Sequence, residues 1–311
     1  MPDRGMPMAL DGLLSFPLTP FTRDDEVDPD VLAEHLNRQV DAGPAALFVA
    51  CGTGEFTGLT PAEYVDVIRT AVKVVGGRVP VYAGAGGGPG VARGYVETAR
   101  ECGADGVLLL PPYLVSSTPA GLLRHIQYVA AGAPLPIVVY QRANAVLDPA
   151  TAVALLDVPA VSGIKDGIGD VGAMLRIVTA VRTSRHARAE TFGFLNGLPT
   201  AELSVQAYTA IGVSSYSSAV LTFVPEIATA FFRAVSTGDT ATASRLLADF
   251  YLPFAELRDQ VPGYAVSLVK AGTRLTGLDM GGVRPPLVDP TPEHVEQLAA
   301  IIAAGRAALE A

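Results

Sequence analysis

The chain has 311 residues; half of them are apolar, 17% are charged, and the formal net charge is −9. This length and composition are typical of a well-packed globular protein with one large domain or two small ones, and they exclude long charged disordered tails. The acidic balance also argues against nucleic acid as a partner, because phosphate binding needs clustered lysine and arginine.

The cysteines and the apolar runs indicate where in the cell the protein is expected. Two cysteines, Cys51 and Cys102, do not make a disulfide framework in a chain of this size. The first twelve residues, MPDRGMPMALDG, lack the apolar stretch of a signal peptide, and no run approaches the roughly 18 apolar residues that span a bilayer. We therefore expect a soluble cytoplasmic protein with no membrane partner.

Short apolar, β-branched runs alternate along the chain with segments of helical period, and helix-start signals such as Thr60-Pro61 and Asp148-Pro149 separate them. The predicted strands cover residues 14–18, 46–50, 79–83, 106–110, 137–140, 161–164, 190–194 and 212–216. Strands that are apolar on both faces and are joined by crossover helices indicate a parallel sheet. Eight such units predict an α/β fold, a closed (β/α)8 barrel.

The domain organisation follows from where the alternation stops. Residues 1–238 carry the eight strand-helix pairs and form the predicted barrel, whereas residues 239–311 show only helical period. We interpret the second part as a helical extension that packs on the barrel. Active sites of this fold lie at the C-terminal ends of the strands, so candidate residues are those that follow each strand.

Lys165 is the one lysine that follows a predicted strand. The other two, Lys73 and Lys270, fall in predicted helices, where a solvated face accounts for each. Burial in a barrel mouth disfavours the ammonium, and lowering the pKa by ~3 units gives a neutral amine near pH 7, which can form a Schiff base with a carbonyl. Arginine cannot be deprotonated and cannot do this. The alternative is an ion pair with Asp166 or Asp170.

Two further strand ends carry candidate groups. Tyr140 ends the strand next to that of Lys165, and its phenol can relay a proton; the alternative is a structural aromatic of the barrel interior. After the second strand, Gly52, Thr53 and Gly54 form a tight turn whose backbone N–H groups can hold a carboxylate.

Other site classes find little support in the sequence. The glycine run at 84–88 lacks the GxGxxG spacing of a nucleotide site, and neither HExxH nor CxxC occurs. None of the four histidines, His35, His125, His186 and His294, stands at a predicted strand end. We therefore expect no metal and no organic cofactor.

The strand-end motifs, taken together, resemble the dihydrodipicolinate synthase / N-acetylneuraminate lyase family over nearly the whole chain. They are Thr-Pro-Phe at 19–21, Gly-Thr-Gly-Glu at 52–55, Tyr140 and Gly-Ile-Lys-Asp at 163–166. The resemblance implies a (β/α)8 barrel with C-terminal helices and homo-oligomeric assembly, a tetramer or a dimer. It also implies that Lys165 forms the imine, Tyr140 relays protons and Thr53 helps to cradle the carboxylate of a 2-keto acid.

Within this family, the motifs at 140–145, 165–170, 194–202 and 212–219 resemble the decarboxylating dehydratases, which remove water and carbon dioxide from the six-carbon diacid 5-dehydro-4-deoxyglucarate. Two features differ from the synthases: a single threonine precedes Gly54-Glu55, and Tyr113-Leu114 stands where the synthases carry two tyrosines. A dehydratase is therefore the expected function.

A diacid substrate needs carboxylate and hydroxyl binders besides the amine. Arg142 has the bidentate fork for the distal carboxylate. The candidates for hydrogen bonds to substrate hydroxyls are Asn144, Asn196, Ser214, Ser215 and Ser217. Two other functions stay open: an aldolase or synthase that uses the same imine chemistry on pyruvate or another 2-keto acid, and a non-catalytic sugar-acid binding protein.

Overall fold

The computed structural model of the protein describes residues 10–112 and 114–310. Eight parallel strands close into a barrel in chain order, each paired with its sequence neighbour and β1 with β8. The strands are β1 Leu13–Ser15, β2 Ala46–Val49, β3 Val81–Ala85, β4 Gly106–Leu109, β5 Ile137–Gln141, β6 Val161–Asp166, β7 Gly193–Asn196 and β8 Ser215–Ser218. The predicted (β/α)8 barrel is thus confirmed. Tyr113, used in the comparison with the synthases, lies outside the described residues.

Helices connect successive strands and continue beyond the barrel. Those that follow the strands are α1 Pro29–Asp41, α2 Pro61–Val75, α3 Pro89–Glu101, α4 Pro119–Ala130, α5 Pro149–Ala154, α6 Val171–Thr183, α7 Val205–Ala210 and α8 Pro225–Thr237. The later ones are α9 Thr240–Leu246, α10 Leu252–Arg258, α11 Tyr264–Leu275 and α12 Pro292–Glu310, with one π-helical segment, Leu247–Tyr251, between α9 and α10. Among the described residues, none of these helices has the length and apolar character to cross a membrane.

The period of two along each strand divides the core into two layers. One set of side chains fills the barrel interior and includes Phe16, Phe48 and Tyr82, whose rings stack at 4.8 Å between successive centroids. The alternate set, including Val139 and Ile164, faces the surrounding helices. Tyr140 belongs to the interior set, so the fold directs it towards the barrel axis.

A separate apolar cluster joins the C-terminal helices to the barrel. Leu13 of β1 and Tyr216 of β8 belong to it together with Phe250, Phe254 and Leu268 from the region after residue 239. The C-terminal helices therefore share a core with the strands β1 and β8, and α10 and α11 contribute to the mouth of the barrel.

The last two strands lie later in the sequence than their apolar patterns predicted. β7 begins at Gly193 and β8 at Ser215, whereas the predictions placed these strands at 190–194 and 212–216. Residues 187–191 instead form turns. Arg188 connects them to the segment between α5 and β6 and to the start of β6 by donating to the carbonyls of Leu156, Val158 and Val161. This shift changes which of the serines in β8 reach the mouth.

Candidate active site

A cavity of about 290 Å³ lies at the C-terminal ends of the strands. Its lining residues come from the strand ends, from the loops after β2 and β7, and from α10 and α11 of the C-terminal region. Among those that bear on chemistry are Gly52, Thr53, Tyr140, Arg142, Lys165, Ser217 and Arg258. The cavity lies where a barrel of this kind carries its active site.

The amine of Lys165 lies between two aromatic rings. It is 4.1 Å from the ring centroid of Phe16 and 4.2 Å from that of Tyr140, and the residue is only 6% exposed. Burial, with a smaller contribution from the charge of Arg142, lowers the pKa of Lys165 to about 7. The thiol of Cys51 stays neutral because burial raises its pKa to about 12, so it supplies no anion to this lysine.

The two acids that could have paired with Lys165 have other partners. Asp166 accepts hydrogen bonds from Gln141 at 2.7 Å and from the hydroxyl of Tyr208. Asp170 caps α6 by accepting from the backbone N–H of Ala173 at 2.8 Å. The ion-pair alternative for Lys165 therefore has no support from either residue.

Tyr140 and Lys165 occupy paired positions of β5 and β6. The phenol donates to the carbonyl of Gly197 at 3.3 Å, and Nη1 of Arg142 donates to the phenol oxygen at 3.4 Å. Burial raises the pKa of Tyr140, and the Arg142 guanidinium opposes that rise. The phenol is thus protonated at neutral pH, close to the amine and in contact with one cation.

Two glycines make room for this pair. A Cβ at Gly197 would lie 2.2 Å from Cε of Lys165, and one at Gly167 would lie 2.7 Å from the ring of Tyr140. Contacts that short are impossible without displacement of the reactive side chains. Glycine at 167 and at 197 is therefore a requirement of the site itself. Both lie in the motifs at 165–170 and 194–202, but the sequence predicted no role for either.

The turn after β2 is placed as the sequence predicted, with one difference. Gly52 and Thr53 line the cavity. Gly54 lies behind them: its carbonyl accepts from the Thr19 hydroxyl at 2.8 Å, and a Cβ there would lie 3.0 Å from the backbone of Ala50. The space beside Gly52 is open, because a Cβ added there would have no neighbour within 4 Å.

The structure does not bring the two predicted asparagines to the cavity. Nδ2 of Asn144 donates to the carbonyls of Pro112 at 2.8 Å and Val115 at 2.7 Å, so it braces the loop after β4. Asn196 is fully buried; its amide donates to Ser204 Oγ at 2.8 Å and accepts from the N–H of Leu198 at 3.2 Å, which shapes the loop after β7. Both act on loop structure because their amide groups are already satisfied by the backbone or by a hydroxyl.

The serines around β8 divide between the two ends of the barrel. Ser217 lines the cavity. Ser214 precedes the strand and contacts Asp11 at 3.2 Å, and Ser215 donates to the carbonyl of Leu10 at 2.7 Å, both near the start of β1. Their assignment to the site was wrong, because β8 begins three residues later than its apolar pattern indicated.

Lys270 contradicts the prediction of a solvated helix face. Its side chain is fully buried and forms an ion pair with Glu55 at 2.7 Å, while its amine lies 4.2 Å from the ring of Phe21. Glu55 follows the turn of Gly52, Thr53 and Gly54 and also accepts from the backbone N–H of Arg284 at 2.9 Å. The pair thus anchors the turn after β2 to α11 and to the segment that follows it.

The charged lining of the cavity is entirely basic. It consists of Lys165, Arg142 and Arg258, and no aspartate or glutamate lines it among the described residues. This contrasts with the net charge of −9 for the whole chain. A positive local field favours an anionic ligand. Arg258, which comes from α10, was not predicted from the sequence as a site residue.

Comparison with known proteins places this site in a family. A sequence model of the dihydrodipicolinate synthetase family matches residues 9–305. The chain belongs to this family. The resemblance of its strand-end motifs to that family is therefore confirmed, and the barrel mouth with Lys165 and Tyr140 is the part of the fold that carried the resemblance.

Curated relatives of the chain carry a more specific name. A protein of Streptomyces coelicolor named probable 5-dehydro-4-deoxyglucarate dehydratase 1 is 53% identical over 96% of this chain and 94% of its own length. A probable 5-dehydro-4-deoxyglucarate dehydratase of Leptothrix cholodnii is 46% identical over 94% of both chains.

Solved structures support the fold. The dihydrodipicolinate synthase of Bacillus clausii superimposes with a TM-score of 0.87 at 23% identity, over 96% of this chain and 98% of that one. YagE, a family member from E. coli K12 solved in complex with pyruvate, has a TM-score of 0.84 at 25% identity, over 95% and 98% of the two chains.

Proposed function

We propose that the chain is a 5-dehydro-4-deoxyglucarate dehydratase, a lyase that removes water and carbon dioxide from a six-carbon keto diacid and yields 2,5-dioxopentanoate. The observation that carries the proposal is a buried lysine amine with a pKa of about 7 beside a phenol, in a cavity whose charged lining is basic. The names of the curated relatives at 53% and 46% identity support the substrate.

The first stage is formation of an imine on Lys165. The neutral amine attacks the ketone next to one carboxylate, and a water molecule leaves as the C=N bond forms. Tyr140 protonates the departing oxygen, since its phenol is protonated at neutral pH and its ring lies 4.2 Å from the amine. Gly52 and Thr53 hold the adjacent carboxylate. The E. coli relative that was solved in complex with pyruvate, itself a 2-keto acid, supports this substrate class.

Elimination follows from the iminium as an electron sink. Loss of a proton from the neighbouring CH2 gives an enamine, whose electron pair expels hydroxide from the next carbon, so that water is lost after protonation. Breaking the bond to the distal carboxylate then releases carbon dioxide, and its electron pair moves through the conjugated system to the nitrogen. Two proton shifts convert the resulting enol to the aldehyde, and one water hydrolyses the imine.

The other polar groups have supporting roles in this scheme. Arg142 is a candidate ligand of a substrate carboxylate and also sets the environment of the Tyr140 hydroxyl. Ser217 is the serine positioned to bond a substrate hydroxyl. Four other candidates drop out because they do not line the cavity and their polar groups are bonded elsewhere in the fold: Asn144, Asn196, Ser214 and Ser215.

An NMR time course of the purified protein with 5-dehydro-4-deoxyglucarate tests the function. We expect the aldehyde proton of 2,5-dioxopentanoate to appear in step with released carbon dioxide, and Lys165→Ala to abolish both signals. Pyruvate plus a three-carbon aldehyde acid would instead show an aldolase, the alternative that the relatives' names do not favour. An unchanged substrate would remove the proposal.

We also infer that the protein is a homo-oligomer. The family resemblance implies a dimer or tetramer, and the exposed apolar side chains of Leu114 and Val115, 84% and 58% exposed, lie in the loop after β4 where a second copy would cover them. Light scattering after size exclusion gives the subunit count directly, and a mass of one chain would contradict this inference.

A further inference from the structure

The helical extension contributes a cation to the active-site cavity. Arg258 is the last residue of α10, and its side chain lines the cavity although the strands and loops of the barrel supply the other charged groups. The side chain is only 12% exposed, whereas that of Asp259 beside it is 67% exposed. The guanidinium is therefore largely withdrawn from solvent and faces both the cavity and the surface.

Three hydrogen bonds hold this guanidinium. Nε and Nη2 donate to the two carboxylate oxygens of Asp259 at 2.8 Å and 2.9 Å, and Nη1 donates to the hydroxyl of Thr200. A guanidinium carries five N–H groups, so two remain beyond the partners found among the described residues. A carboxylate entering the cavity can take these donors as a fork.

Thr200 supports a functional purpose for this arrangement. It has φ 51° and ψ 60°, in the left-handed region, where a β-branched residue is strained. Such strain persists where the surroundings impose it, and it concentrates at ligand-binding sites. Here the strained residue lies in the loop after β7, lines the cavity, and presents its hydroxyl to Arg258.

The two arginines of the cavity have different contacts. Arg142 donates to the Tyr140 hydroxyl at 3.4 Å, and its charge helps to lower the pKa of Lys165. Arg258 is instead bonded to Asp259 and Thr200, and its charge acts on the buried Glu202. Arg142 therefore contacts the reacting groups, whereas Arg258 belongs to the part of the lining that comes from α10 and the loop after β7.

We propose that Arg258 binds the carboxylate at the far end of the substrate from the imine carbon and so selects dicarboxylic over monocarboxylic 2-keto acids. This inference rests on the proposed imine chemistry at Lys165 and names the substrate feature that the helical extension recognises. A purely structural arginine would need no place in the cavity lining.

A pair of keto acids isolates the distal carboxylate. 2-Oxoadipate and 2-oxohexanoate both have six carbons and a ketone beside one carboxylate, and only the first has a carboxylate at the other end. Each is titrated into the full-length protein with borohydride, and the reduced Lys165 adduct is quantified by intact mass. The half-saturating concentration then reports binding without requiring dehydration.

We expect wild-type protein to be modified at much lower concentrations of 2-oxoadipate than of 2-oxohexanoate. Arg258→Gln is expected to raise the half-saturating 2-oxoadipate roughly 10- to 100-fold, as for loss of charge-assisted hydrogen bonds, and to leave that of 2-oxohexanoate within about twofold. Arg258→Lys, which keeps the charge and loses the fork, is expected to fall between. Arg306→Gln, on the exposed face of α12, is the matched control and should change neither.

Each contrary outcome points to a different step. Equal weakening for both acids in Arg258→Gln would mean that the arginine only supports the loop, and no weakening would mean that it does not touch the ligand; either overturns the proposal. If wild-type protein formed adducts equally well with both acids, the proposed preference for dicarboxylic acids would be overturned, although imine formation on Lys165 would stand. Absence of any adduct would overturn the imine chemistry, and this inference with it.

Kinetics with 5-dehydro-4-deoxyglucarate give a second readout. The charge of the distal carboxylate disappears as carbon dioxide leaves, so a guanidinium bound to it stabilises the ground state at least as much as the transition state. Arg258→Gln is therefore expected to raise KM and to keep most of kcat. A fall in kcat at unchanged KM would contradict the assignment.

Discussion

Lys165 and Lys270 are both buried, yet their surroundings give their amines different chemistry. Burial lowers the pKa of both. The positive charge of Lys270 is balanced by the Glu55 carboxylate at 2.7 Å, whereas the Lys165 amine faces the rings of Phe16 and Tyr140. An amine without an anion loses its proton most easily. This difference supports the proposed role of Lys165 as the nucleophile, whereas Lys270 is a cation of the ion pair with Glu55.

The uncompensated burial of Lys165 has a cost in stability that a mutation can reveal. The pKa of this lysine falls from 10.5 to about 7 in the fold, so its ammonium is disfavoured there. The loss in folding free energy caused by this burial is complete below pH 7, where the ammonium is present in both states. It disappears as the pH rises past 10.5, where the amine is neutral in both states. Lys165→Met is expected to abolish turnover and to raise the free energy of unfolding at pH 7, by on the order of 4 kcal/mol.

Urea denaturation at pH 7 and pH 9.5 measures this effect, and the gain should be smaller at the higher pH. Lys73→Met, in α2, is the matched control. A Lys165→Met variant no more stable than wild type at either pH would show that the amine is not destabilised by burial.

The sequence located Lys165 but misjudged Lys270, and the reason is physical. A residue after a barrel strand is directed to the mouth by the strand itself, so its neighbours in sequence predict its place. The environment of Lys270 depends on how α11 packs across the turn that holds Glu55, and no local pattern encodes that contact. Arg258 was missed for the same reason.

Among the elements, the turn after β2 depends most on a distant partner. Glu55 has φ 54° and is buried, and the Lys270 amine is its counter-charge. Lys270→Met leaves this carboxylate unpaired in the core, so we expect a loss of about 3–5 kcal/mol in the free energy of unfolding. We also expect weaker binding of 2-keto acids, because Thr53 lies on the same turn.

The double variant Glu55→Gln/Lys270→Met tests the cause of that loss. Removing both charges should restore part of the stability, since an unpaired buried carboxylate is the costly species. Urea denaturation of the two single variants and the double variant gives the coupling. Additive losses would contradict the role of the ion pair.

Strand positions show what apolar pattern alone determines. The eight strands and their order followed from the alternation of apolar runs with helix-start signals, and the lengths of β2, β4 and β5 were predicted within one residue. β7 and β8 were predicted two to three residues early, because Phe192 and Val213, which precede these strands, are also apolar and buried. That error moved Ser214 and Ser215 to the wrong end of the barrel.

At the scale of the whole molecule, a buried acid lies between barrel and extension. Glu202 accepts from the Ser218 hydroxyl at 2.5 Å, and its charge acts on Tyr216 of β8 and on Tyr251 of the extension. Burial raises the pKa of Glu202 to about 7. Because the unfolded chain ionises this group near pH 4.5, the fold loses stability as pH rises from there to about 7.

Glu202→Gln is expected to remove this pH dependence while keeping an acceptor for Ser218. The wild-type free energy of unfolding should fall by about 3 kcal/mol more than that of the variant between pH 4.5 and pH 7.5. Chemical denaturation at both pH values measures the difference. Parallel pH profiles for the two proteins would show that Glu202 ionises normally in the fold.

The central claim is that Lys165 forms a covalent imine with a 2-keto acid, and reductive trapping tests it most directly. Protein is mixed with 5-dehydro-4-deoxyglucarate and borohydride, digested, and mapped by peptide mass spectrometry. We predict a stable adduct on the peptide that contains Lys165, with none on those that contain Lys73 or Lys270. An unmodified Lys165 in protein that still consumes the substrate would contradict the account.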